Sequence, residues 1–194
     1  NLYFDDDGLT GFMRRAHDRG LQVAVHALGE RAISQAVRCY EAACGKEAGD
    51  SRHRIEHCEL PTPRHMADIL RLGLQVCVQP TFEYLWGGEG GMYERRLGAE
   101  RAGRSNPFRT MLEAGLRLAG GSDSYVTPLD SLLGIHSAVN RPNVSERLSV
   151  FDAVALFTRE AARFSFDESR RGTLERGSIG EPRARRLEPD LGHG

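Results

Sequence analysis

Four short candidate strands, residues 21–25, 53–57, 74–78 and 116–119, alternate with stretches whose apolar residues recur at helical spacing. This rhythm constrains the fold more than any other feature. It argues for βαβ units and a parallel sheet. Right-handed crossovers then put the C-terminal ends of all four strands on one face. The intervening segments agree. Asp5 to Asp7 suit the start of a helix that runs through Leu9, Phe12, Met13 and Ala16 and ends at Gly20. Ile33, Ala36, Val37 and Tyr40 mark one face of a second helix, closed by Gly45. Pro61 and Pro63 precede a third with Met66, Ile69 and Leu70, and Pro80 stops the third strand. Pro107 opens a helix with Phe108, Met111 and Leu112, and two more are expected near 129–140 and 150–164. Residues 81–106, rich in Gly, Glu and Arg, read as a long functional loop carrying Trp86 and Tyr93.

Chemistry-bearing residues sit where strands end. His26 follows the first run, His57 closes the second, and Asp123 follows the fourth after Gly120-Gly121-Ser122. Active sites of (β/α)8 barrels lie on that face, so three strands bring three potential ligands together. Two neutral imidazoles and a carboxylate, with one position open, form the donor set of a hydrolytic metal ion. Such an ion polarises a carbonyl and lowers the pKa of its water toward about 7. A nearby carboxylate, here Asp123, can pass the water's proton to a leaving nitrogen. Spacing alone leaves bland readings open. A strand-end histidine is often structural, and Asp123 can simply cap the next helix. Trp86 and Tyr93 can stack on a substrate or anchor the loop. His17, His53, His65, His136 and His193 show no convergence in the sequence.

Composition narrows the class. A formal net charge of −1, with both signs interspersed, gives no reason to expect nucleic acid or membrane as partner. No apolar run approaches the roughly 20 residues of a membrane span. Cys39, Cys44, Cys58 and Cys77 form no CxxC pair and read as reduced thiols of a cytoplasmic protein.

The segments around the three strand-end residues carry a family resemblance. Val25-His26-Ala27-Leu28-Gly29-Glu30-Arg31-Ala32 resembles the "HAIGDRA" motif of the amidohydrolase 3 family. Arg54-Ile55-Glu56-His57 resembles its "RIEH" motif. Gly121-Ser122-Asp123-Ser124-Tyr125-Val126, followed by Pro128-Leu129-Asp130, resembles its "GSDxPV…PLDP" segment. Phe157-Thr158-Arg159-Glu160-Ala161-Ala162 resembles its "yTinaA" helix. Glu30 replaces the family's usual Asp, and Tyr125 a common Pro. The resemblance implies a metal-dependent hydrolase acting on C–N bonds of amides, imides or formamides, with a small-molecule substrate. It implies a divalent metal, zinc first, held by His26, His57 and Asp123, with Asp123 also moving the proton. Trp86 and Tyr93, in the segment that matches the loop over the site, are the substrate-binding candidates.

The family's first-strand His-x-His pair and fourth-strand bridging residue have no counterpart in these 194 residues. The expected architecture is therefore α/β, with barrel units five to eight and the N-terminal half of the (β/α)8 barrel absent. Residues 1–165 form that partial barrel. Residues 166–194 are the lead-in to a β-sandwich, and from about 178 the polar, basic sequence with Arg183, Arg185 and Arg186 is expected to be poorly ordered. A half barrel has open edges, and an apolar inner face is expected, so a homodimer is one solution. The alternative function is a non-catalytic half-barrel module that self-associates through its exposed sheet edge.

Overall fold

A computed structural model describes residues 2–45 and 49–179. Its four strands, β1 (Ala24–Ala27), β2 (Arg54–His57), β3 (Gln75–Val78) and β4 (Leu118–Gly120), form one sheet in the order β1-β2-β3-β4. All three pairings are parallel. Ten helices connect and flank the strands among the described residues: α1 (Asp6–His17), α2 (Glu30–Cys44), α3 (Pro63–Arg71), α4 (Pro80–Trp86), α5 (Met92–Leu97), α6 (Ala99–Gly103), α7 (Phe108–Glu113), α8 (Ser131–Asn140), α9 (Val150–Phe157) and α10 (Arg159–Phe164). The chain is an α/β fragment of a (β/α)8 barrel.

Register assigns the two faces. Val25, Ile55, Val76 and Leu118 lie side by side across the four strands. They join the core that Met13, Ile33, Ile69, Phe108, Met111 and Leu156 build from the helices. The alternate row is His26, Glu56, Cys77 and Ala119. One step earlier, Arg54 aligns with Gln75. The inner face is thus polar, not apolar as expected. Arg54 Nε donates to Glu56 Oε1 at 2.5 Å, and Arg54 also donates to Gln22 at 2.7 Å. The alternation of Arg54, Ile55 and Glu56 fits a strand with one face on helices and one toward a polar barrel interior.

Local signals place the helices. Asp5 caps α1, its carboxylate accepting from Gly8 N at 2.7 Å. Thr62 and His65 form a reciprocal capping box at α3, and His65 Nε2 also meets Ser34 Oγ at 2.7 Å. Several boundaries differ from expectation. The first strand starts at Ala24, because Leu21 is exposed and the Val23 amide is taken by the His53 ring. Residues 81–106 are not one loop: α4, α5 and α6 occupy most of them, and Pro80 begins α4 at a position that needs no N–H. The helix expected over 150–164 is broken at Thr158, whose backbone leaves helical geometry.

Close packing at the end of β4 yields a steric prediction. A Cβ added at Gly120 would lie 2.5 Å from the Phe157 ring, so Gly120→Ala forces a rigid aromatic to move. Overpacking of this kind destabilises by about 1–3 kcal/mol. The urea midpoint should fall accordingly, and an unchanged midpoint would show that α9 shifts freely. The expected division at residue 165 concerns a tail of which residues 180–194 lie outside the described residues. The described part folds back on the barrel, where Arg52 donates to both Glu168 carboxylate oxygens at 2.7 and 2.9 Å.

Candidate functional site

His26 lies within β1, His57 is the last residue of β2, and Asp123 lies three residues beyond β4. All three therefore gather at the C-terminal end of the parallel sheet. Alternation alone would send His57 toward the helices with Ile55. Instead its backbone turns left-handed, at φ 72° for His57 and 54° for Cys58. The His57 ring ends 4.5 Å from that of His26, edge to face. Asp123 also has a left-handed backbone, φ 50°, which brings Asp123 Oδ2 to 4.0 Å from His57 Nε2. Non-glycine residues in this region cost of order 1–3 kcal/mol each and concentrate at functional sites.

His57 is the hub. It is buried, whereas His26 and Asp123 are open to solvent. Burial first, and then the neighbouring His26, push the His57 pKa below the ordinary imidazole value, with Asp123 opposing. The ring is accordingly neutral, the form that can ligate a metal. The helix after this loop is capped by Asp130, whose carboxylate accepts from Leu132 N and Leu133 N, so Asp123 is not spent as a helix cap. The three donor atoms are nonetheless not drawn into one tight cluster: His57 meets each of the others separately.

Phe82 packs 5.6 Å from the His57 ring, and Trp86 meets Phe82 edge to face at 4.7 Å. Trp86 is half-buried at the end of this aromatic series. Tyr93 is buried, with its hydroxyl beside Glu59 and lacking a well-formed hydrogen bond. It braces α5 against the end of β2.

Beneath the aromatics lies a charged network that the sequence did not advertise. Arg141 and Glu83 are both buried and approach to 3.3 Å. Glu83 Oε2 accepts from Ser105 Oγ at 3.0 Å and Asn106 Nδ2 at 3.1 Å. Arg141 donates to the carbonyls of Ser105 and Asn106 and stacks over Phe108 at 4.7 Å. The Asn106 amide donates to the Glu59 carbonyl at 2.7 Å. Together these contacts tie α4 and the 105–106 turn to the strand that carries His57. Glu30, the first residue of α2, pairs with Arg101 at 3.7 Å rather than capping its helix; at this exposure the pair contributes little.

A second cluster was also missed. His17, Cys44 and His53 offer donor atoms mutually within 4.8 Å. It joins the C-terminal ends of α1 and α2 to the residue before β2, away from the strand ends that carry His57. His53 Nδ1 accepts from the Val23 amide at 3.0 Å, so its proton sits on Nε2, 3.0 Å from His17 Nδ1. A metal at that nitrogen would have to displace the proton, and the His17–His53 pair reads as a hydrogen-bonded clasp with Cys44 beside it.

Along the open edge of β1 runs a groove of about 850 Å³, lined by Leu2, Phe4, Phe12, Val25, Leu28 and His26 among others. It touches His26 but neither His57 nor Asp123. No helix among the described residues is long and apolar enough to cross a membrane.

Comparison with known proteins gives a consistent picture. A family model described as "Amidohydrolase family" matches residues 2–179. A Bacillus subtilis (strain 168) protein carrying the name amidohydrolase YtcJ is 31% identical over 89% of this chain and 34% of its own length. The N-substituted formamide deformylase of Arthrobacter pascens is 28% identical over 84% of this chain and 31% of its own. The crystal structure of an uncharacterized metal-dependent hydrolase from Pyrococcus furiosus superimposes with a TM-score of 0.78 at 31% identity, covering 92% of this chain and 36% of that one. The chain spans about a third of the length of the curated relatives it matches.

Proposed function

The chain belongs to the amidohydrolase family, and from that premise we propose that it supplies part of the metal site of a hydrolase acting on C–N bonds of small amides, imides or formamides. The observation that carries the reading is the meeting of His57 Nε2 with Asp123 Oδ2 at 4.0 Å, with the His26 ring 4.5 Å from that of His57, at the C-terminal end of the sheet. The donor set suits a divalent cation, zinc first: a buried neutral imidazole, a second imidazole and a carboxylate. The buried, unpartnered His57 Nδ1 fits this too, since a ring that ligates through Nε2 keeps its proton on Nδ1.

His26, His57 and Asp123 would hold the ion. When bound, it supplies Lewis acidity toward a carbonyl and acidifies water. Asp123, the solvent-accessible carboxylate of the three, accepts the proton of the attacking water and returns it to the leaving nitrogen. His57, held neutral by burial, does not compete for that proton. Phe82 and Trp86 form an apolar wall beside the imidazoles, against which a substrate can pack, and Tyr93 holds the wall from behind. The barrel portion is residues 1–165, and residues 166–194 are the remnant of a lead-in to a β-sandwich. Four free thiols suit a reducing, cytoplasmic setting.

The apolar groove along β1 supports the second reading, a half-barrel module that associates through that edge and does no chemistry by itself. Metal content per chain separates the two. After purification without chelator or histidine tag, about one zinc or iron per chain is expected by elemental mass spectrometry, falling at least tenfold in His57→Ala. A folded chain that takes up no metal would reject the metal site in this chain and leave the association module.

A further inference from the structure

We infer that Glu59 is the positioning residue for His57: its carboxylate faces Nδ1, favours the ring proton there and so aims Nε2 at the metal. The inference rests on the metal-site reading above. His57 Nδ1 is buried and has no hydrogen-bond partner, and a buried polar atom left so is costly. Glu59 Oε1 stands 3.9 Å from that nitrogen, and both side chains are buried, 3% and 8% exposed. At 3.9 Å no hydrogen bond is formed. Contacts of this kind in ligand-free sites are often long and tighten on binding.

Glu59 is placed for the role by the same features that build the site. Across the left-handed turn at His57 and Cys58, the Glu59 carboxylate comes to 3.9 Å from His57 Nδ1. The Glu59 carbonyl is held by Asn106 N, and Tyr93 lies beside the carboxyl. A histidine ligand whose far nitrogen donates to a carboxylate is fixed in tautomer and orientation, and loss of the carboxylate lowers metal affinity by about 10- to 100-fold. Glu59 touches neither metal nor substrate. It acts through His57, and it couples the seating of α5 and the 105–106 turn to the ligand.

The test reads the ring directly. Nitrogen-15 NMR of the metal-free chain should show His57 protonated at Nδ1 and unprotonated at Nε2. Glu59→Met, which keeps the length and removes the acceptor, should shift His57 away from that tautomer and weaken zinc binding, measured by competition with a chromophoric chelator, by about 10- to 100-fold. Glu59→Gln retains an acceptor oxygen and should restore the tautomer. The inference fails if the wild-type ring carries its proton on Nε2, if Glu59→Met leaves the tautomer as it was, or if Gln behaves like Met. Should Glu59→Met not fold, the wild-type tautomer and the Gln variant still decide. A wild-type chain with the Nδ1–H tautomer that binds no zinc would sink the metal reading, and the positioning of Nε2 toward a metal with it, leaving only the control of the His57 tautomer by Glu59.

Discussion

Arg141→Met is expected to destabilise the chain by about 3–5 kcal/mol, because it leaves the Glu83 carboxylate buried without its cation. Arg141 is fully buried and Glu83 nearly so. Burial is the largest influence on both: it pushes the Glu83 pKa up and the Arg141 pKa down, against their mutual attraction. The intact pair is therefore not a large net stabiliser. The penalty comes from breaking it. Arg141 also supplies the donors for the carbonyls of Ser105 and Asn106, and methionine supplies none. For a chain of this size the loss corresponds to a fall in Tm of about 6–20 °C. Adding Glu83→Gln removes the stranded charge and should recover part of the loss, a non-additivity that distinguishes this account from simple loss of packing. A single variant within about 1 kcal/mol of wild type, or a double variant that is merely additive, would refute it.

The consequence reaches the candidate site. Ser105 and Asn106 are held by Arg141 and Glu83, Asn106 holds Glu59, and Glu59 faces His57. A packing defect at Arg141 should thus loosen the floor of the site before it disturbs β1 or α1, both of which pack on α2.

How far this was legible in the sequence depends on the range of each interaction. His26, His57 and Asp123 could be found because each follows a strand, and a parallel sheet brings strand ends together whatever their distance along the chain. Met13, Ile33, Ile69 and Met111 were legible as core because helical spacing reports burial locally. Arg141 and Glu83 were not. Glu83 stands in α4 and Arg141 just past the end of α8, and no local pattern pairs them. The helices α5 and α6 run for only six and five residues, too short for a period to show, so glycines and charges between 81 and 106 read as loop. The inner face was misjudged for a different reason. The alternation of Arg54, Ile55, Glu56 and His57 was plain, but only the register shows that Arg54 and Glu56 share the barrel side with His26 and Cys77. His17 and His53 lie 36 residues apart, and nothing nearby marks them as partners.

That histidine pair gives the second large effect, a loss of stability in acid. His53 is fully buried, stacked on Tyr40, and its pKa is pushed down from 6.5 to about 4 by burial and then by His17. Both ring nitrogens are committed, Nδ1 to the Val23 amide and Nε2 to His17, so an added proton would sit against the Val23 N–H. The unfolded chain takes that proton at about pH 6.5, the folded chain only near 4. Stability from this group is therefore fully present above 6.5 and is lost as pH falls through 4, by about 3 kcal/mol in all. Glu59 works in the opposite sense. Its pKa is raised by burial to about 7, so its contribution is present in acid and lost as pH rises through 7. His53→Asn isolates the histidine, since the Asn oxygen can still accept from Val23 while nothing titrates and Glu59 is unchanged. Urea unfolding at pH 7, 5.5 and 4.5 should show the variant less stable at pH 7, with the gap to wild type closing by about 1–3 kcal/mol toward pH 4.5. Two parallel curves would mean that the His53 ring accepts its proton in the folded state at the ordinary pH, and that the clasp between the helices and β2 opens without penalty.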